Sequence, residues 1–283
     1  MKKLYKNVIL FKDINYNEYK KGELFMNIKD MFREDEKPLE NIVTDGGFCK
    51  IFRTIACVGD SLSSGEFELL IDGEHQWYDM YEYSWGQYMA RTCGSKVYNF
   101  SRGGMTAKNY YTSWAESADL WNPEKKCQAY IIALGVNDLK NRHMEIGTVD
   151  DICENYKDNK PTFAGDYGAI IQRYKEIQPD AKFFLMTMVR EDEPGDADAE
   201  AHAKLLYEIA DKLSNCYVID FMQYAPVYDE DFKKKFYLTG HMNPMGYVYT
   251  AQITMSYIDY IIRHNMQDFK HVGFIGTDID YKK

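Results

Sequence analysis

The stretch TIACVGDSL, residues 54–62, sets Gly-Asp-Ser directly after a short run of apolar residues. Residues 54–58 are nearly continuously apolar, which is typical of a strand buried on both faces of a sheet. Gly59 and Asp60 end this run, and Ser61 follows in a tight strand-to-helix turn. Four similar runs occur at residues 96–100, 129–134, 182–188 and 216–219. Together the five runs predict a parallel sheet of five strands.

Helical patterns lie between these strands. Three are well marked, at residues 162–178, 196–213 and 243–263. Pro179 ends the first, an acid-rich first turn suits the dipole of the second, and Asn243-Pro244 begins the third with an N-cap residue and a proline at the first helical position. The alternation of strands and helices predicts an α/β fold with helices on both faces of the sheet.

The two ends of the chain do not follow this alternation. Residues 1–52 are rich in charged residues and asparagine with scattered aromatics, and we expect an N-terminal extension that packs on the core as a small subregion. Residues 53–264 form the predicted α/β domain. Residues 265–283 form the predicted C-terminal tail.

Composition excludes several classes of partner. Acidic residues number 44 and basic residues 34, so the net charge of −10 disfavours nonspecific binding to nucleic acid or anionic lipid. The apolar run at residues 8–11 is too short for a signal peptide, and polar residues interrupt the apolar stretch 245–262. Six cysteines without CxxC spacing indicate reduced thiols. We therefore expect a cytoplasmic protein that binds neither nucleic acid nor membrane; the sequence leaves its oligomeric state open.

The polar residues after the predicted strands indicate a chemistry. Ligands of an open parallel sheet bind at the carboxyl ends of its strands, where Ser61, Gly104 and Asn137 follow the first three runs. His241, just before the last helix, can act as a base for the Ser61 hydroxyl. The N–H groups of Ser61 and Gly104 and the Asn137 amide supply three donors, as a developing oxyanion requires. This set describes acyl transfer through a serine ester.

The same residues resemble the four sequence blocks of the GDSL or SGNH hydrolases. The matching residues, in the order of that family, are Gly59-Asp60-Ser61-Leu62, Asn99 with Gly104, Gly135-Val136-Asn137-Asp138, and His241. The resemblance implies a flavodoxin-like three-layer α/β/α sandwich, the SGNH hydrolase fold. It covers most of the chain, and the position of each block after its own strand makes it specific.

The resemblance also implies roles for these residues. Ser61 would be the nucleophile and His241 the base that later protonates the leaving alcohol, with an oxyanion hole formed by Ser61, Gly104 and Asn137. Family members cleave esters without a metal or an organic cofactor, so we expect neither. The expected substrate is a small-molecule ester, with a short acyl group or a carbohydrate as its alcohol.

One position departs from the family pattern. The family usually carries an aspartate three residues before the histidine, and here Leu238 stands there. Three explanations remain open: the Leu238 backbone carbonyl orients the imidazole, another acid does so, or the protein is a weak enzyme or an inactive binding protein. The candidate acids are Asp220, Asp229, Glu230 and Asp231. We favour the carbonyl, because any backbone position can supply one.

Structural explanations exist for each of these residues. Ser61 could serve only as a helix N-cap, Gly104 only as a turn glycine, Asn137 as a turn cap and His241 as a packing residue. Asp60 is expected to stabilise the turn by accepting backbone N–H groups. These explanations account for the residues singly but not for their common order after successive strands.

The segment 66–83 is both acidic and aromatic, and it follows Ser61 closely. We interpret it as a long loop at the mouth of the site. Aromatic and carboxylate side chains suit sugar faces and hydroxyls, so the loop would confer specificity. Packing against the N-terminal extension is the alternative.

Overall fold

The structure, a computed structural model, describes residues 32–191 and 196–281. Residues Lys37–Lys283 form one compact unit, and the preceding unit, Met1–Glu36, is described only from residue 32. Most of the predicted N-terminal extension, residues 1–31, therefore lies outside the described residues. The boundaries predicted at residues 52 and 264 stay predictions.

The described residues form seven strands: β1 (Thr54–Gly59), β2 (Glu66–Ile71), β3 (Glu74–Asp79), β4 (Lys96–Ser101), β5 (Ala129–Ala133), β6 (Lys182–Met186) and β7 (Cys216–Ile219). Five of them pair in parallel in the order β4-β1-β5-β6-β7, while β2 and β3 form a separate antiparallel pair. The predicted five-stranded parallel sheet is confirmed. Its order reverses at β1, so the crevice where a ligand binds in such a sheet lies beside the carboxyl ends of β1 and β5.

Ten α-helical segments occur in the described residues: α1 (Ser61–Ser64), α2 (Trp85–Cys93), α3 (Ala107–Asn109), α4 (Ala115–Ser117), α5 (Phe163–Ile177), α6 (Ala197–Lys212), α7 (Phe221–Tyr224), α8 (Glu230–Phe236), α9 (Pro244–His264) and α10 (Met266–Phe269). The three helices expected from the sequence correspond to α5, α6 and α9. Asn243 caps α9 as expected, because its side chain accepts a hydrogen bond from the Gly246 N–H at 3.0 Å.

The sheet is buried on both faces. Along β1, Ala56 and Val58 belong to one hydrophobic cluster, while Ile55 and Cys57 belong to the other. This alternation follows from the two-residue period of a strand, and it explains why the sequence runs are apolar throughout. Helices α5 and α6 contribute to the first cluster and α2 and α9 to the second. The predicted three-layer α/β/α architecture is confirmed.

Residues just before β1 pack against α9. Cys49 and Phe52 are buried, and the N–H groups of Val43 and Phe48 donate to Ser256 and Asp259 of that helix. These contacts belong to the same compact unit as the sheet. Across the described residues, no helix combines the length and the apolar character that a membrane span needs.

The prediction that the segment 66–83 is a long loop is wrong. It forms the hairpin β2–β3, which reverses at Asp72 and Gly73 with φ of 52° and 84°. Two consecutive positive φ values are what a type I′ hairpin turn requires, and Asp-Gly is a favoured pair for it. Side chains of β2 therefore alternate between two faces, and this alternation decides which of them reach the site.

Candidate active site

Ser61 occupies the first turn after β1. Asp60 caps α1, and its Oδ1 atom accepts a hydrogen bond from the Leu62 N–H at 3.1 Å. The expected structural role of Asp60 is therefore confirmed. Ser61 stands at the first position of α1, where a backbone N–H has no partner within the helix. The turn thus sets both the hydroxyl and the N–H of Ser61 at the carboxyl end of the sheet.

His241 lies against Ser61. Its Nε2 atom is 2.9 Å from the Ser61 Oγ atom, although 180 positions separate the two residues in the chain. The loop carrying His241 is held at both ends, by the Leu238 N–H donating to the His241 carbonyl at 2.9 Å and the Asn243 N–H donating to the Phe236 carbonyl at 2.8 Å. The predicted serine and histidine are therefore brought within hydrogen-bonding distance.

Glu68 of β2 contacts the other nitrogen of the His241 ring. Its Oε2 atom lies 2.9 Å from Nδ1 of His241 and accepts the Gly240 N–H at 2.8 Å. The Glu68 side chain is almost completely buried. Burial pushes the pKa of Glu68 upward, but hydrogen bonds from His241, His75 and Gly240 outweigh it and hold the pKa below its usual value. An ionised carboxylate therefore faces the imidazole.

This geometry corrects the expectation about what orients His241. The Leu238 carbonyl does not fill that position, because Nδ1 of His241 faces Glu68. Asp220 is occupied elsewhere: it caps α7 through the Gln223 N–H at 2.9 Å and accepts the Tyr207 hydroxyl at 3.0 Å. Asp229 similarly caps α8 through the Phe232 N–H at 2.8 Å, and Glu230 and Asp231 lie in the first turn of that helix.

Sequence reasoning missed Glu68 because it treated the segment after Ser61 as a loop. The signal that could have found it is Asp72-Gly73 between two runs of alternating residues, which predicts a hairpin. In the hairpin, Glu66 and Glu68 lie on one face of β2 and Phe67 on the other. A hairpin that folds back over Ser61 then presents both carboxylates to the site.

A second histidine, His75, also contacts the Glu68 carboxylate. Nδ1 of His75, on β3, is 2.5 Å from Oε1 of Glu68, and the His75 ring stacks on Trp77 with centroids 6.0 Å apart. An ionised carboxylate only accepts hydrogen bonds, so both imidazoles donate through Nδ1–H. That tautomer leaves Nε2 of His241 as the acceptor for the Ser61 hydroxyl.

Asn137 lies in the π-helical turn Val136–Asn141 that follows β5. Its side-chain nitrogen donates to Oδ2 of Asp60 at 3.2 Å, and its side-chain oxygen accepts from Asn141 at 2.9 Å. The two contacts fix the amide with its NH₂ group toward the turn that carries Ser61. Because an NH₂ group has two donors, one N–H remains for a ligand.

Gly104 follows β4 in a turn with φ of +68°, a conformation that favours glycine. No atom lies within 4 Å of the point that a Cβ would occupy, so the turn faces open space. Asp138 links this turn to the Asn137 turn, since its buried Oδ1 accepts the Ala107 N–H at 2.9 Å. Among residues 32–191 and 196–281, no protein acceptor meets the N–H groups of Ser61 and Gly104.

Two buried carboxyls lie behind these turns. Burial raises the pKa of Asp60 to about 6 and that of Asp138 to about 7, although each accepts a backbone N–H that opposes the rise. Neither carboxyl touches His241 Nδ1, so neither substitutes for Glu68. Nowhere in the described ranges do three His, Cys, Asp or Glu side chains come together in a way that could hold a metal ion.

Ser61, Gly104 and Asn137 thus lie after the strands β1, β4 and β5, as the sequence blocks predict, and His241 contacts Ser61. The acid beside His241 comes from the hairpin, which those blocks do not include. The profile of the GDSL-like lipase/acylhydrolase family matches residues 57–249, about two thirds of the chain. The chain belongs to this family. No curated protein matches it.

Solved structures of this family's fold resemble the chain at low identity. A carbohydrate esterase family 2 enzyme with a carbohydrate-binding domain from Corynascus thermopiles (Myceliophthora fergusii) is 14% identical, with a TM-score of 0.52 and coverage of 75% of this chain and 67% of that one. A family two carbohydrate esterase from Clostridium thermocellum in complex with cellohexaose is 15% identical, with a TM-score of 0.51 and coverage of 82% and 66%. A Lactobacillus plantarum protein is 15% identical, with a TM-score of 0.54 and coverage of 74% and 97%. At these identities the likeness shows the fold.

Proposed function

We propose that this GDSL-like acylhydrolase is a carboxylic ester hydrolase that works through an acyl-enzyme on Ser61. The observation that carries the proposal is the contact series from Ser61 Oγ to His241 Nε2, and from His241 Nδ1 to Glu68, with both separations at 2.9 Å. An activated serine needs a base within hydrogen-bonding distance, and that base needs a third group to orient it. Glu68 fills the role that Leu238 leaves open.

The reaction follows from these contacts. Ser61 Oγ attacks the ester carbonyl carbon while its proton passes to His241 Nε2. The negative charge that develops on the carbonyl oxygen is stabilised by the N–H groups of Ser61 and Gly104 and by the Asn137 amide. The intermediate then collapses as His241 returns the proton to the leaving alcohol. Water, deprotonated by the same His241 nitrogen, hydrolyses the acyl-enzyme and restores Ser61.

The proposed substrate is an ester with a short acyl group or a carbohydrate alcohol. Trp77 pairs with Glu68 across the hairpin and is 56% exposed, so its ring lies beside the site and is open to a ligand. An exposed tryptophan offers a flat apolar surface to a sugar ring. Carbohydrate esterases are also among the solved proteins with this fold.

A fluorophosphonate probe and p-nitrophenyl acetate test the proposal. We expect the probe to label Ser61, as located by peptide mass spectrometry, and the wild-type protein to hydrolyse the ester. Ser61→Ala should abolish both, whereas Ser117→Ala, a change at an exposed serine of α4, should preserve both. Hydrolysis that survives Ser61→Ala would refute the proposed mechanism. A well-folded wild-type protein that neither reacts with the probe nor cleaves any ester of an acyl and sugar panel would favour an inactive binding protein.

A further inference from the structure

Glu66 is a second carboxylate beside His241. It opens β2, and its backbone carbonyl is held by the Tyr247 hydroxyl at 2.6 Å. The side chain is 15% exposed, and Oε1 lies 3.3 Å from His241 Nε2. Glu66 and Ser61 therefore both lie near the same ring nitrogen, whereas Glu68 contacts the opposite one.

Gly103 makes room for this carboxylate. A Cβ at Gly103 would lie 2.4 Å from Oε2 of Glu66, a distance that no real contact reaches. The Glu66 carboxylate thus lies between the His241 ring and the turn that carries Gly104. These are the two groups that would flank a bound ester on the side of its leaving alcohol and its carbonyl oxygen.

The carboxylate has hydrogen-bonding capacity that the protein does not use. Within the part of the chain that the structure describes, the 3.3 Å approach to His241 Nε2 is the one polar contact that its side-chain oxygens make. A carboxylate has about four lone-pair sites, so most of its acceptor capacity is left for a ligand. Burial raises the pKa of Glu66, with nearby Asp79 and Glu68 acting in the same direction and His241 opposing them. A poorly solvated acceptor of this kind gains much from a ligand donor.

We propose that Glu66 determines specificity by accepting a hydrogen bond from a hydroxyl on the carbon next to the ester oxygen. The preferred substrates would be monoesters of vicinal diols, as in sugars and other polyols. The inference rests on the proposed function, because the leaving oxygen must receive its proton from His241 Nε2. A carboxylate 3.3 Å from that nitrogen lies within reach of the neighbouring carbon's hydroxyl but leaves the reacting bond itself untouched.

A matched pair of esters tests the inference. 2-Hydroxyethyl acetate and 2-methoxyethyl acetate share the acyl group and differ in one hydrogen-bond donor. For the wild-type protein we expect kcat/KM to favour the hydroxyl ester by about 10- to 100-fold, the range of a hydrogen bond to a charged group. Glu66→Ala should bring the ratio to within about threefold of one, since truncation removes the acceptor.

Two further variants control this experiment. Glu74→Ala alters another acid of the same hairpin, an exposed one, and should retain the wild-type ratio. Glu66→Gln keeps an acceptor oxygen without the charge, so its ratio should lie between those of the wild type and Glu66→Ala. This variant also keeps the inference testable if Glu66→Ala fails to fold.

The outcomes separate the two proposals. A wild-type protein that cleaves both esters at equal rates, or a Glu66→Ala protein that keeps the wild-type ratio, would overturn the role of Glu66 while leaving the ester hydrolase proposal intact. Absence of both Ser61 labelling and ester cleavage in the wild-type protein would overturn both.

Discussion

Glu68 and His241 are 173 positions apart in the chain, yet Oε2 of the first lies 2.9 Å from Nδ1 of the second. The acid comes from a hairpin beside the nucleophile, and the histidine comes from the loop before the last long helix. In the proposed mechanism, a carboxylate from a different element therefore takes the role of the aspartate that the GDSL-like family usually carries three residues before the histidine.

Replacement of Glu68 tests this arrangement. Glu68→Gln keeps the size of the side chain but removes the charge that stabilises the imidazolium, and its amide can favour the wrong tautomer of His241. We expect kcat for p-nitrophenyl acetate to fall by about 10³- to 10⁴-fold, by analogy with the acid of serine proteases. Glu74→Gln, a change at an exposed position of the same hairpin, should leave kcat unchanged. A fall in kcat of less than tenfold for Glu68→Gln would show that Glu68 serves the structure of the loop and not catalysis.

His75 should position Glu68 without touching the substrate. His75→Ala removes one hydrogen bond from Glu68, which keeps those from Gly240 and His241, so we expect kcat to fall by about 3- to 10-fold. His75→Gln restores a donor and should recover most of the activity. Gln76→Ala, on the opposite face of β3, is the matched control. Equal losses for His75→Ala and His75→Gln would contradict a positioning role.

Asn137 should act mainly in the transition state. Asn137→Ala removes the amide donor proposed for the oxyanion, and we expect kcat to fall by about 10²- to 10³-fold with little change in KM. Asn141→Ala leaves the donor but removes one contact that fixes the Asn137 amide, so kcat should fall less than it does for Asn137→Ala. Steady-state kinetics with p-nitrophenyl acetate measure both. A change confined to KM would indicate ground-state binding instead.

The buried carboxyl of Asp138 should make stability depend on pH. Its pKa is about 7 in the folded protein against 3.8 ordinarily, so between these values the folded state binds more protons than the unfolded state. The free energy of unfolding therefore falls as pH rises from about 4 to about 7. Asp138→Asn carries no charge, and we expect it to exceed the wild type in stability at pH 8 by about 1–3 kcal/mol.

Urea unfolding at pH 5 and pH 8 measures this effect. The difference between Asp138→Asn and the wild type should grow from pH 5 to pH 8, because the wild-type carboxyl ionises over that interval. Asp278→Asn, a change at an exposed position, should show no such growth. A stability difference that is the same at both pH values would contradict a raised pKa for Asp138.

Much of the fold could be predicted because its determinants are local. Strands such as β5 and β6, which are buried on both faces, need unbroken apolar runs. The start of α9 is predicted by Asn243-Pro244, an N-cap residue followed by a proline. The positions of Ser61, Gly104 and Asn137 followed from the same runs, because residues after parallel strands share one edge of the sheet.

The acid could not be predicted by the same reasoning. A strand pattern says where a hairpin turns but not which element it folds over, and the contact of Glu68 with His241 spans most of the chain. The prediction also searched near His241, where Asp220 and Asp229 already cap helices. Caps of this kind are visible from sequence in principle, since each acid immediately precedes a helical pattern.

The hairpin places the acid only seven residues after the nucleophile. Two of the three members of the proposed triad are thus encoded in one short segment, whereas the histidine comes from a distant loop that Glu68 also holds through the Gly240 N–H. A search for relatives that requires an acid beside the histidine would discard this chain as defective. A pattern with Gly-Asp-Ser, a glutamate seven residues beyond the serine and Asp-Gly starting four residues after that would instead collect the proteins that share its arrangement.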